Sequence, residues 1–164
     1  YYVVGHFHYI VMGVIAFALF GAFYYWFPLV TGRMYQRKLG KAHFWLSMVG
    51  TNVAFFAMLL LGYLGMPRRY ARDELAPFAP GELITVLHQA ATFGAFLIGI
   101  GAVVFLVNAV QSLLDAPTVG DGDPWDLDRT NQTTKEWQWF RRTRQLTDGG
   151  ETDETRESGD DGEG

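Results

Sequence analysis

The sequence predicts an all-α integral membrane fold with three transmembrane helices and a polar C-terminal tail. Three observations predict it. Residues 1–32, 42–66 and 83–114 contain no Asp, Glu, Lys or Arg, and a helix needs about 20 such apolar residues to cross a bilayer. Charge is segregated along the chain: residues 1–114 carry seven basic and three acidic side chains, residues 115–164 six basic and fourteen acidic ones. The formal charge of −4 and the mean hydropathy of +0.07 are therefore sums of two unlike halves. Finally, Tyr24, Tyr25 and Trp26 near the end of the first run, and Trp45 near the start of the second, suit the aromatic belts of a membrane interface.

Taken in order, the spans are expected at about residues 1–31, 42–66 and 83–114. The connection after the first holds Arg33, Arg37, Lys38 and Lys41 with no acid. The connection after the second sets Arg68, Arg69 and Arg72 against Asp73, Glu74 and Glu82. The short all-basic loop belongs inside, which puts the second loop outside and the tail in the cytoplasm, with the plasma membrane of a prokaryote as the expected location. Gly50, Thr51, Asn52, Gly94, Gly99 and Gly101 recur within the spans. Small residues let helices approach closely in lipid, so these spans are expected to pack against others.

Beyond residue 114 the chain turns polar. Residues 121–128 read as a turn-rich loop around Pro124 and Trp125, and residues 134–146 carry a helical pattern around Trp137, Trp139 and Phe140. From about residue 147 the tail is Gly, Glu and Asp without aromatics, a composition expected to be disordered. The simplest reading of this acidic end is a solvated one, although acidic surfaces are also common in salt-loving sources.

There is no cysteine, which excludes disulfides, iron–sulfur clusters and thiolate metal sites. No cleavable signal pattern is present at the start, and the chain opens inside an apolar run without an initiator Met, as a piece of a longer protein would. No internal repeat is evident, and no nucleic-acid partner is expected.

The residues that carry chemistry begin at Gly5-His6-Phe7-His8-Tyr9, early in the first span. Ionisable residues at membrane depth are costly and normally face a site or a cavity; the plainer alternative is two histidines satisfied by neighbouring carbonyls. On a helix, positions i and i+2 are about 200° apart, so His6 and His8 point to nearly opposite sides and cannot share one metal ion. On a strand they would share a face and could chelate, but the long apolar run that follows favours the helix. Two histidines placed back to back can each serve a different planar cofactor. Neutral imidazole is a good axial ligand for haem iron, so the geometry suggests two haems flanking one helix, with Phe7 between them.

The second cluster is Gly65-Met66-Pro67-Arg68-Arg69-Tyr70. Arginines here could simply anchor at the interface. Topology adds a further possibility, because the second span returns the chain to the side where His6 and His8 lie. Haem propionates are carboxylates, and Arg suits bidentate contacts with them. His43, beside the basic loop, and His88, near the start of the third span, read as interfacial or interhelical histidines.

The string Tyr1-Tyr2-Val3-Val4-Gly5-His6-Phe7-His8-Tyr9 closely resembles the tenth-helix motif of the subunit I family of haem–copper oxygen reductases, the cytochrome c and quinol oxidases. Lys41-Ala42-His43-Phe44, Gly50-Thr51-Asn52 and the string from Gly65 to Tyr70 resemble the eleventh helix and the loop after it, and Asp123-Pro124-Trp125 and Glu136-Trp137 the short motifs after the twelfth. The resemblance implies that His6 is the axial ligand of the high-spin haem, where oxygen binds. His8 would be one axial ligand of the low-spin haem, Arg68 and Arg69 would bind propionates, and Phe7 would lie between the haems.

It implies a twelve-helix subunit reducing oxygen to water with proton pumping, of which only the last three helices are present. Copper and its histidines, the cross-linked tyrosine, the second low-spin ligand and the main proton-channel residues would lie upstream, so this piece alone would be incomplete and inactive. The implied partners are the remaining helices, other oxidase subunits such as subunit II, oxygen, lipid, and cytochrome c, another carrier protein or quinol as donor. Phe56-Ala57-Met58-Leu59 departs from the Phe-Pro-Gln-His pattern common in the family.

Two other classes fit parts of the pattern. A non-catalytic haem electron carrier would need two histidines facing one haem, and no second span is expected to offer one at matching depth. A transporter or structural membrane subunit would use the histidine pair for protons or packing and would bind no haem.

Overall fold

The computed structural model describes residues 1–69, 81–117, 119, 125, 134–139 and 142–143. The second connection beyond Arg69, the 121–128 loop apart from Trp125, Phe140 and the acidic end from residue 147 lie outside the described residues.

Among the described residues, three helices are long and apolar enough to cross a membrane: α1, Tyr2–Thr31, of 30 residues; α2, Arg37–Tyr63, of 27; and α3, Gly81–Asp115, of 35. At about 1.5 Å per residue each exceeds the roughly 30 Å hydrocarbon core of a bilayer. With no water at that depth, helices satisfy their backbone groups internally, and that is why these runs take this form. α2 starts at Arg37, ahead of the uncharged run, because Arg37, Lys38 and Lys41 can ride the first turns of a helix whose start lies in the interface. Within α1, Val11–Ala16 takes wide, π-type turns directly after the histidine pair.

α2 ends in a glycine-dependent stop. Gly65 has φ 91°, a conformation open to glycine. The Gly65 N–H then donates to the Gly62 carbonyl (3.1 Å), and the Met66 N–H to the Leu61 carbonyl (3.1 Å). This is the Schellman pattern, and its usual apolar contact is present: Met66 and Leu61 are buried together with Ile84 of α3.

Two compact units are present. The first comprises Tyr1–Trp26 and Tyr35–Ala116, and in it α2 packs against both α1 and α3. Along α2 the buried positions His43, Ser47, Gly50, Ala54, Ala57 and Leu61 alternate in steps of four and three, the spacing of a seam between two long helices. α3 answers with Ile84, Ala91, Gly94, Gly101 and Asn108. The contact is close because the residues are small. A Cβ on Gly94 would lie 2.7 Å from the Gly50 carbonyl oxygen and 2.8 Å from the Ala54 Cα, and one on Gly101 would lie 2.8 Å from the Ser47 hydroxyl.

One end of this unit is pinned by polar groups. Asn108, 1% exposed, accepts from the Gln36 N–H (3.1 Å) and from the Ser112 hydroxyl (3.3 Å), and donates to the Gln36 carbonyl (3.4 Å). It therefore satisfies the backbone at the start of α2, where a helix leaves N–H groups unpaired. Tyr24 of α1 shares a 3.1 Å hydrogen bond with His43 Nδ1, and both rings lie against Phe105 of α3, so all three helices meet there. Phe20 and Phe105 ring the His43 imidazole at 4.5 and 5.1 Å. Just outside the spans, burial holds the Tyr35 phenol above its usual range, opposed by the nearby Arg37 cation.

The second unit comprises Phe27–Met34 and Pro117–Gly164. In it the Val119 N–H donates to the Gly32 carbonyl (2.9 Å) and the Met34 N–H to the Pro117 carbonyl (3.1 Å), so the segments that follow α1 and α3 lie side by side. Residues 135–139 are helical and bury Trp137, while Trp139 is exposed. Glu136 sits at the start of this turn. Its own backbone N–H and the Thr134 hydroxyl hold its carboxyl below the usual carboxylate range.

Replacing Gly94 by Leu should force the α2 and α3 backbones apart and cost about 1–3 kcal/mol by overpacking. Gly99→Leu should cost much less, because a Cβ there meets nothing within 4 Å. Denaturant titration of the detergent-solubilised protein, followed by loss of helical circular dichroism, checks the difference.

Candidate functional site

The first turns of α1 present the histidines. Gly5 is buried against α2: a Cβ there would lie 2.9 Å from the Leu59 nitrogen and 3.1 Å from the Phe55 carbonyl oxygen. At about 100° per residue, His6 is turned about 100° from that contact, Phe7 about 160° the other way, and His8 only about 60°. Exposure follows these angles. His6 and Phe7 are exposed, Phe7 at 56%, and His8 is half-buried at the edge of the α1–α2 contact. Helical geometry is thus observed where the strand alternative would have put both imidazoles on one face.

His8 is held on three sides. Its Nδ1 lies 2.7 Å from the Val4 carbonyl oxygen. A carbonyl only accepts, so the neutral ring carries its hydrogen on Nδ1 and keeps its lone pair on Nε2. The ring of Phe55 stacks on the imidazole at 5.1 Å with 29° between planes, and Phe7 meets its edge at 5.2 Å. This is the arrangement by which a protein fixes the tautomer and direction of a metal-binding histidine. His8 therefore fits the role of an axial ligand. His6 fits one as well, on the other side of the helix.

The arginine cluster lies at the same end. The backbone nitrogen of Tyr1 donates to the Met66 carbonyl (2.9 Å), which places residues 66–69 beside the start of α1. Arg68 and Arg69 are exposed, and Arg69 has φ 65°. That left-handed conformation is costly for a residue with a Cβ and collects at functional sites. Tyr70 lies outside the described residues.

Two histidines fall elsewhere. His43 is 2% exposed at the opposite end of α2. It is a buried interhelical residue, with its Nε2 lacking a hydrogen-bond partner. His88 of α3 meets Tyr1 with ring centroids 6.3 Å apart, about 10 Å along the α1 axis from His8. Among the described residues no cluster of three or more His, Asp or Glu could hold a metal ion. Any metal here would have to be ligated singly by each histidine or completed by other chains or segments.

Tyr9 and Asn52 stand in motifs that the sequence displays, but their pairing is not visible there, and nothing in the sequence singles out Phe55. The Tyr9 hydroxyl donates to Asn52 Oδ1 (3.1 Å), and Asn52 Nδ2 donates to the Met48 carbonyl (2.8 Å). A polar residue within a span normally faces a partner, so Asn52 carried a signal; Phe55, one apolar residue among many, carried none.

Residues 1–114 match the family model described as cytochrome c and quinol oxidase polypeptide I. The chain is 54% identical over 154 residues to a cytochrome c oxidase polypeptide 1 of Halobacterium salinarum, covering 92% of this chain and 25% of that protein. It is 39% identical over 125 residues to cytochrome c oxidase subunit 1 of Corynebacterium diphtheriae, covering 76% of this chain and 21% of the relative. The chain thus spans about a quarter of the length of the curated relatives it matches.

Gly5→Val should push α1 off the Phe55–Leu59 backbone, cost about 1–3 kcal/mol, and detach His8 from Phe55. Gly13→Val, where a Cβ meets nothing within 4 Å, is the control. Thermal unfolding of the solubilised protein should separate the two.

Proposed function

The chain belongs to the cytochrome c and quinol oxidase polypeptide I family, and we propose that it is the haem-ligating C-terminal part of the catalytic subunit of a respiratory terminal oxidase. The complete subunit would reduce oxygen to water and couple this to proton pumping. The observation that supports the reading best is the pair of histidines on opposite sides of one helix, with Phe7 between them and His8 Nε2 left free by the Val4 bond.

In this reading His6 ligates the high-spin haem and His8 the low-spin haem. When bound, the two haems carry electrons and provide the iron at which oxygen binds. The chain's own residues do the rest. His8 gives its Nε2 lone pair to iron, and the Val4 carbonyl raises the basicity of that nitrogen. Arg68 and Arg69 pair with propionate carboxylates at the end of α1, and a bidentate guanidinium suits them better than a lysine would. Phe7, exposed between the two histidines, would lie between the two cofactors.

In this reading the copper ligands and the second low-spin ligand would lie in segments outside this chain, so residues 1–164 alone would not turn over. The partners proposed are the remaining helices of the subunit, other oxidase subunits such as subunit II, lipid, oxygen, and either an electron-carrier protein such as cytochrome c or quinol as donor. Residues 1–114 would form the membrane part in a prokaryotic plasma membrane and residues 115–164 a polar cytoplasmic tail, the side on which the basic residues of the first connection also lie.

The test is a reduced-minus-oxidised visible spectrum, with and without carbon monoxide, of the complete subunit carrying single substitutions. His6→Ala should abolish the carbon monoxide-responsive haem and leave the other signal; His8→Ala should do the reverse. Both variants should lose oxygen consumption by at least about 100-fold, the scale expected when a metal ligand or its support is removed. Retention of both haem signals in both variants would defeat the ligand assignment.

A further inference from the structure

Near the start of α1 its contact with α2 is antiparallel. On α1 it uses Gly5, His8 and Tyr9, which share a face at i, i+3 and i+4. On α2 it uses Asn52, Phe55 and Leu59, again one stripe. Phe55 is the centre of it. The residue is 7% exposed, with its ring stacked on the His8 imidazole at 5.1 Å and 29° and meeting the Tyr9 ring edge-on at 6.1 Å and 68°. The Tyr9 hydroxyl then closes the contact on Asn52, three residues before Phe55. Asn52 is itself fixed, since its amide bonds the Met48 carbonyl one turn earlier.

Several restraints converge on His8. The Val4 carbonyl fixes which nitrogen carries hydrogen and aims the ring along the helix. Because Nδ1 lies off the Cβ–Cγ axis, that hydrogen bond also opposes rotation of the ring. The flat face of Phe55 reinforces that restraint, because an imidazole turned out of the stack would strike a ring that is already wedged between residues 8 and 9. The Tyr9–Asn52 bond prevents the alternative escape, in which α1 turns about its own axis and carries His8 away from Phe55.

We infer that Phe55 and the Tyr9–Asn52 hydrogen bond are positioning elements that set the imidazole plane of His8, and with it the electronic character of the haem that His8 ligates. This rests on the reading of His8 as an axial ligand. The orientation of an axial imidazole plane governs the ligand field at iron, and the groups around a ligand tune its metal. A positioning role therefore has a spectroscopic consequence that plain packing lacks. It also has a direction: only the low-spin haem should respond, because His6 is turned away from α2.

The experiment uses the complete oxidase complex, with Phe55→Leu, which keeps an apolar side chain but removes the flat ring, and Tyr9→Phe, which removes one hydroxyl and leaves the stack. Electron paramagnetic resonance of the oxidised enzyme and redox titration of the visible bands are read for each haem separately. The expected result is a shift in the highest g value and in the midpoint potential of the low-spin haem in both variants, larger for Phe55→Leu, with the carbon monoxide-responsive haem unchanged. Unshifted low-spin signals in both variants would overturn the inference, as would equal shifts of both haems, which would mark general packing. Should Phe55→Leu fail to assemble, Tyr9→Phe decides alone, since it adds no volume and buries no new polar group. Failure of the underlying reading looks different: His8→Ala would then keep its low-spin signal whatever Phe55 does.

Discussion

In lipid, a side chain gains nothing from leaving water for a helix interface, so α2 can hold its neighbours only by bringing backbones close enough for dispersion and hydrogen bonding to act. Every feature of the site depends on that closeness. Toward α3, Gly50, Gly94 and Gly101 remove the side chains that would keep the helices apart. Toward α1, Gly5 does the same, and its contact with the Phe55 and Leu59 backbone sets the angle at which His6, Phe7 and His8 leave the helix. A side chain at Gly5 would rotate or displace all three. The precision of the histidine pair is thus a property of a glycine.

Polar groups supply what close packing cannot, which is register. Asn108 ties the start of α2 to α3, and the Tyr24–His43 bond ties α1 to α2 at the same end. The Tyr1–Met66 and Tyr9–Asn52 bonds tie α1 to α2 near the other end. Such bonds are individually modest, at about 0.6–2 kcal/mol in membranes, but each has a fixed direction and length. Apolar helices of even hydrophobicity could otherwise slide past one another at little cost. The Schellman stop at Gly65 has a similar effect at the chain level: it ends α2 at a defined residue and delivers Arg68 and Arg69 beside the start of α1.

The two arginines and the two histidines differ in how they are prepared. His8 is oriented within the chain by Val4, Phe7 and Phe55. Arg68 and Arg69 are exposed, so their long side chains keep rotamer freedom that binding would have to remove. The strain at Arg69 falls on the backbone instead, at φ 65°. A ligand shell of this kind directs its rigid partners and lets its charged ones adapt.

Composition alone determined the class of structure, because three uncharged runs of sufficient length leave a backbone no other solution in a bilayer. The spacing of His6 and His8 determined that they serve opposite sides, since helical periodicity is independent of everything else in the fold. The glycines announced close packing but not its seam. Apolar residues occupy every face of the α2 and α3 spans, so hydrophobicity does not reveal which side is covered, and the alternating four-and-three series of buried residues becomes visible only once the partner is known. Asn52 stood out in its span whereas Asn108 did not, and their partners Tyr9 and Gln36 lie 43 and 72 residues away. Phe55 was one of many phenylalanines until folding set it against His8. Pairings across such separations are settled by which backbones come within reach, and only the tertiary structure decides that.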